Sequence, residues 1–270
     1  MLHNEGDFLK RVIVCRPGEE YFSASDLAAQ NMNELPDRIK TAGQFLSLIT
    51  VMKEAGSEVI VMDELDGHPN SVFTRDAGLC TPMGHIRLRM GLPARRGEEV
   101  WLAGVLDSLG EFSAGCIESP GTVEGGDVIL AGEVAFIGLS GRTNQEGARQ
   151  LAFLLDEMGY EVRVHTVPAW SLHLGGVMSV LGPGTVLSCE GTFRENFFKG
   201  FKRVNVPMKG LSSGNVICLG GDEIIANAAE NSLGIEILQA HGFKVHALDL
   251  SEFRKGGGGP TCLILPVERG

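Results

Sequence analysis

Few residues in this chain are placed to do chemistry, and Cys262 heads them. It follows Gly256-Gly257-Gly258-Gly259-Pro260-Thr261 near the C-terminal end and precedes Leu263-Ile264-Leu265. Four glycines and a proline cannot be the interior of a helix or a central strand. They predict a loop that passes close to something or moves, delivering a thiol to a short buried strand. A thiol so placed suits nucleophilic catalysis, although free cysteine is most often a small buried hydrophobe.

Other candidates surround polar or charged groups with apolar sequence. His173 stands between Leu172 and Leu174; such histidines are usually hydrogen-bonded core residues and sometimes acid–base catalysts. Arg75-Asp76 interrupts the apolar run from Val72 to Cys80. A buried charge there needs a partner or a ligand, whereas opposite faces of a half-exposed strand would be the ordinary alternative. Glu124 and Asp127 flank Gly125-Gly126, where a turn with Asp127 capping backbone amides is the plainer account. A second Gly-Gly-Asp at 220–222, preceded by Leu219, supports that turn and singles out Glu124 as the position that varies. Arg142 precedes Thr143-Asn144, either of which can cap a helix, so its guanidinium can hold an anion there or lie solvated. Arg89 belongs to a basic patch with Arg87, Arg95 and Arg96, a candidate carboxylate clamp.

These residues must be positioned by a repeat. Five times an apolar segment with helical spacing ends at a glycine and is followed by a strand-like run. The segments are Gln44–Ala55, Glu98–Leu109, Gln145–Met158, the shorter Phe193–Lys199, and Asn231–His241; the glycines are 56, 110, 159, 200 and 242. A single module cannot bury its apolar face, so five predict a closed ring in preference to an open α/β sheet. Near the start of the next strand stand Asp76, Glu124, His173, Asn215 and Cys262, 14 to 20 residues beyond each glycine. In a ring, equivalent positions converge on the axis, bringing two carboxylates, an imidazole and a thiol into one pocket.

Composition bounds the function. At 270 residues the chain can bury a full core, and the reading here is one catalytic domain over 1–270. A formal net charge of −11 argues against nucleic-acid or anionic-membrane partners and suits a cationic small molecule. Six scattered cysteines without Cys-x-x-Cys spacing predict reduced thiols and a cytoplasmic location. No apolar run is long enough to span a bilayer, and no secretory signal is read at the start. No metal or organic cofactor motif is present.

Together, Phe-Thr-Arg75-Asp76, Glu124-Gly-Gly-Asp127, Gly-Leu-Ser-x-Arg142-Thr-Asn, Leu-His173-Leu and Gly-Gly-Gly-Pro-x-Cys262 resemble, in order, the guanidino-group-modifying enzymes of the pentein superfamily. The resemblance implies a five-bladed ααβ/β propeller with a pseudo-fivefold repeat and a central active-site channel. Within the superfamily the chain looks most like dimethylarginine dimethylaminohydrolase. Its Phe-Thr-Arg-Asp and Gly-rich ending are similar to those of arginine deiminase, but Gly175 stands where that enzyme has a guanidinium-gripping aspartate.

The resemblance implies Cys262 as nucleophile, its pKa lowered by the substrate cation or by His173. It implies His173 as acid and then base, oriented by Glu124. Asp76 would bind the guanidinium, Arg89 and Arg142 would receive the amino-acid carboxylate, and Asp127 would be a further substrate-binding residue. A guanidino or ureido amino acid would be the substrate, N-methylated arginine above all, giving citrulline and an alkylamine. Arginine deimination, citrulline-type ureido hydrolysis, an amidinotransferase using the same thiol, and a non-catalytic propeller remain alternatives, and a homodimer is left open.

Overall fold

The computed structural model describes residues 2–210, 212–230 and 232–270. Five three-stranded sheets form a five-bladed propeller. Each blade has an inner strand antiparallel to a middle strand, which is parallel to an outer strand reached through a crossover. The second blade, for example, comprises Gly78–Thr81, Gly84–Arg87 and Ser113–Cys116, with helix Glu98–Ser108 in the crossover. Val128–Ala131, Val134–Leu139 and Glu161–Thr166 repeat the pattern around helix Gln145–Glu157. The fourth blade is Met178–Gly182, Thr185–Cys189 and Lys202–Val206; the fifth is Val216–Gly220, Glu223–Asn227 and Lys244–Leu248.

The ring closes in the first blade. Leu9–Cys15 and Glu58–Met62 come from the N-terminal part of the chain, but the inner strand is Leu265–Arg269, antiparallel to Leu9–Cys15. The strand after Cys262 therefore joins both ends of the sequence. This places the thiol beside the first blade and next to the turn that carries Asp76.

All five terminating glycines are left-handed, with φ between +82° and +95° at 56, 110, 159, 200 and 242. A side chain at these positions would be strained by the backbone conformation, because nothing lies within 4 Å of a Cβ built at any of them. The helices preceding them bury one side: Leu102 and Leu106, or Leu151 and Leu155, are almost fully buried.

Two expectations change. The helix anticipated over Phe193–Lys199 is a single 3-10 turn, Glu195–Phe198. Phe193, Phe197 and Phe198 pack on one another, with ring centroids 4.8–5.1 Å apart, and Phe197 and Phe198 both reach Phe136. Neighbouring aromatics that both turn inward do not fit one helical face. The last crossover helix is Ser232–Ala240, and the expected Asn231 start lies outside the described residues. The second change concerns the functional positions. Asp76, Glu124, His173 and Cys262 sit in or immediately before 3-10 turns that lead into inner strands. Cys262 is inside Pro260–Leu263, and its strand begins only at Leu265.

Candidate active site

The turns converge at one end of the axis, around a cavity of about 830 Å³ whose lining includes His173, Gly175, Asn215, Thr261 and Cys262. His173 is 4% exposed, and its Nε2 lies 2.9 Å from Glu124 Oε2. Nδ1, 3.8 Å from Asp76 Oδ1, is thus the nitrogen left for exchange with a bound molecule. Glu124 is wholly buried; its Oε1 accepts from the backbone amides of Gly91 and Leu92 at 3.1 and 3.0 Å, and Arg142 reaches both oxygens at 3.3 Å. Burial alone would raise the Glu124 carboxyl, but His173, Arg95 and Arg142 outweigh it and hold it well below the usual range. Burial pulls the other way on His173, yet Asp76, Asp127 and Glu124 lift it to about 9. His173 is consequently an imidazolium at neutral pH.

The Gly-Leu-Ser-x-Arg-Thr-Asn segment builds the wall behind this pair. Asn144 caps helix Gln145–Glu157 by accepting from Gly147 N–H at 2.8 Å, which fixes the preceding residues. Ser140 Oγ and Thr143 Oγ1 donate to Asp127 Oδ2 at 2.6 and 2.7 Å, while Asp127 Oδ1 accepts from Leu174 N–H at 2.9 Å. The amide of Glu124 donates to Thr143 Oγ1 at 3.2 Å. Asp127 is therefore completely buried and occupied within the protein by Ser140, Thr143 and Leu174. It fixes the turn that presents His173.

Arg89 has partners of its own within the protein. Its guanidinium donates to Gly121 O at 3.1 Å, and its backbone bridges to Val123. The buried cation beside the thiol is Arg95, which donates to Asp76 Oδ2 at 2.6 Å, Glu98 Oε2 at 2.7 Å, and the carbonyls of Asn70 and Phe73. Burial pushes Glu98 up to about 7 despite this pairing. Within the basic patch, sequence spacing could not tell Arg95 from Arg89; only the 3-10 turn Pro93–Arg95 directs it inward. Asn70 was likewise missed. Its Nδ2 donates to Gln30, its Oδ1 has no partner among the described residues, and it lines a small void with Asp76, Arg95, Arg142, His173 and Cys262.

Cys262 Sγ accepts the amide of Gly259 at 3.4 Å. Burial and then Asp76 push the thiol up to about 11, with Gly259, Arg95 and Arg75 opposing them. The expected lowering by His173 is not found in the free protein. Asp76, Glu98, Glu124 and Asp127 face the guanidinium groups of Arg75, Arg95 and Arg142 and the imidazolium, so the buried charges of the site are closely matched. Asp76, Glu124 and His173 also offer three ligand atoms within 4.8 Å of one another, a geometry that could hold a metal ion. Arg95, Arg142 and backbone amides already engage the carboxylates.

The sequence family described as N,N dimethylarginine dimethylhydrolase, eukaryotic, matches residues 20–269. The chain belongs to this family. It is 30% identical over 233 residues to the N(G),N(G)-dimethylarginine dimethylaminohydrolase of Pseudomonas aeruginosa, covering 85% of this chain and 89% of that one. A solved DDAH from the same organism, a cysteine-to-serine mutant complexed with citrulline, superposes with a TM-score of 0.83 at 28% identity, covering 96% of this chain and 99% of that one. The arginine deiminase of Listeria innocua is 28% identical over 78% of this chain and 65% of its own length. The family member described here is a pentein-type guanidino hydrolase acting on C–N bonds. Among its described residues no helix is long and apolar enough to cross a membrane.

Proposed function

We propose that residues 1–270 form one catalytic unit that hydrolyses an Nω-methylated arginine to citrulline and an alkylamine, through a covalent intermediate on Cys262. The observation that carries the choice of substrate is Gly175. It lines the cavity beside Cys262, and the atoms nearest to a Cβ built on it would be Gly126 O (3.1 Å), Asn215 Nδ2 and Thr261 Oγ1 (both 3.8 Å). Glycine gives this wall no carboxylate, so a nitrogen bearing methyl groups and lacking protons to donate meets no unpaired acceptor there.

The steps follow from the resting charges. The guanidinium binds against Asp76, and its positive charge draws down a thiol otherwise held near 11. Cys262 Sγ, its proton released to solvent as the guanidinium enters, attacks the central carbon and gives a tetrahedral adduct. His173, already protonated, gives its proton to the departing alkylamine as the C–N bond breaks. An amidino-thioether remains. Neutral His173 then takes a proton from water, whose oxygen adds to the same carbon. Collapse expels the Cys262 thiolate while the hydroxyl proton of the adduct leaves to solvent, and a ureido product remains. Glu124 holds the imidazole through Nε2 in both steps. Arg142 and Arg89 are the cations assigned to the carboxylate end of the substrate, since the guanidinium of Arg95 is already taken by Asp76, Glu98 and the carbonyls of Asn70 and Phe73.

Asn70 favours a second reading, in which arginine itself or a ureido compound is the substrate: its unpartnered Oδ1 offers an acceptor for an unmethylated nitrogen. Amine and ureido products should therefore be measured with arginine, N-methylated arginines, citrulline and agmatine, using wild type and Cys262→Ser. Dimethylamine or methylamine from wild type alone supports the proposal. Turnover of arginine or citrulline in preference would replace the substrate assignment while keeping the thiol. Turnover only when an amine acceptor is added would indicate transfer instead of hydrolysis.

A further inference from the structure

The nucleophile and the acid–base residue are carried by different blades, and among the described residues no hydrogen bond joins Cys262 directly to His173. A third side chain links their turns. Asn215, 4% exposed, occupies the equivalent position in the fifth blade, just before the inner strand Val216–Gly220. Its Oδ1 accepts from Thr261 N–H at 2.9 Å, and its Nδ2 donates to Thr261 Oγ1 at 2.6 Å and to Gly175 O at 2.8 Å. Two of these partners are backbone groups with fixed roles, a donor at Thr261 and an acceptor at Gly175, so the amide has only one satisfactory orientation. Thr261 precedes the nucleophile, and Gly175 lies two residues after His173.

We infer that Asn215 is a positioning residue that clamps the turn bearing Cys262 to the turn bearing His173, setting the thiol against the imidazolium for the proton transfers. The inference rests on the assignment of those two residues made above. The bonds within the Cys262 turn itself are Cys262 N–H to Gly259 O at 3.1 Å, Ile264 N–H to Thr261 O at 3.3 Å and Gly259 N–H to Sγ at 3.4 Å. The clamp also excludes a side chain at Gly259, where a Cβ would lie 2.9 Å from Asn215 Cγ. Without Asn215 the half-buried Thr261 amide and the buried Gly175 carbonyl lose these partners, and the turn is free to shift. Misplacement by about 1 Å is enough to slow a reaction on the order of 10²-fold.

The test compares Asn215→Ala, Asn215→Asp and Thr261→Val with wild type and Cys262→Ser, using the N-methylated arginine panel and alkylation of Cys262 by iodoacetamide across pH. Asn215→Ala is expected to lose about 10²-fold in kcat with KM within about threefold, because the guanidinium contacts remain. Its alkylation profile should move to higher pH as Gly259 N–H leaves Sγ. Asn215→Asp keeps the acceptor for Thr261 N–H and should fall between Asn215→Ala and wild type. Thr261→Val, which keeps the backbone bond, should show a smaller loss of the same kind and replaces Asn215→Ala if that variant does not fold. An unchanged kcat in a folded Asn215→Ala overturns the inference, as does a kcat loss that only tracks a lower Tm with an unmoved alkylation profile. If Cys262→Ser retains activity, the assignment of the nucleophile fails instead.

Discussion

Arg95 Nη1 and Asp76 Oδ2 meet at 2.6 Å, and the same guanidinium holds Glu98 Oε2 at 2.7 Å. One buried cation thus stands between two buried carboxylates, one of them facing the thiol. Its remaining protons go to the carbonyls of Asn70 and Phe73, a planar fork that no ammonium group can reproduce.

Arg95→Met should therefore leave two buried charges uncompensated. We expect it to lower unfolding stability by about 3 to 5 kcal/mol, or to prevent folding. Arg95→Lys keeps the charge but cannot reach all four acceptors, and should fold with kcat/KM reduced by on the order of 10²-fold. Urea unfolding and steady-state kinetics check both; a loss below about 1 kcal/mol in Arg95→Met would show that the pair contributes little.

Gly175→Asp should reverse the preference for methylated substrate. The new carboxylate would stand near Gly126 O and face the distal nitrogens, where it needs N–H groups to satisfy it. Turnover of dimethylarginine should fall by on the order of 10²-fold relative to arginine. The ratio of the two kcat/KM values measures this, and an unchanged ratio would mean that Gly175 does not face the substituted nitrogens.

Much of this arrangement was legible in the sequence, because the ring is written in backbone chemistry. A left-handed glycine after each helical segment has a local cause, and the spacing from it to Asp76, Glu124, His173 and Cys262 survives folding. The helix over Phe193–Lys199 was not legible, since its aromatics are satisfied by Phe136 from another blade. Arg89 and Arg95 are alike in composition and differ only in which carbonyls and carboxylates the turn at Pro93 presents to them. The tie of Asp127 to Leu174 likewise depends on a partner 47 residues away. Position in the repeat was readable; the direction of a side chain within a turn was not.

Gly159→Ala tests the backbone account of the repeat. With φ at +89° and open space around its Cβ, the substitution costs conformation alone, about 1 to 2 kcal/mol of stability with kcat unchanged. A neutral effect on the urea midpoint would show that the turn relaxes easily.

His173 makes stability depend on pH in a direction that can be worked out. Its value is raised from 6.5 to about 9 in the folded protein, against burial, by Asp76, Asp127 and Glu124. The folded state therefore holds this proton more tightly than the unfolded chain. The resulting stabilisation is fully present below about pH 6.5 and is lost as the pH rises through about 9, amounting to at most about 3 kcal/mol. Cys262, raised from 9.0 to about 11, extends the loss to higher pH. Asp127→Asn removes one of the three carboxylates that support the imidazolium, so the loss attributed to His173 should begin at lower pH. The substitution also sets an amide N–H₂ against Leu174 N–H or the hydroxyls of Ser140 and Thr143, adding about 1 to 3 kcal/mol of destabilisation at every pH. Urea unfolding from pH 6 to 10 separates the two effects, since only the first changes the shape of the curve. An Asp127→Asn curve parallel to wild type would mean that Asp127 holds the turn without bearing on the charge of His173.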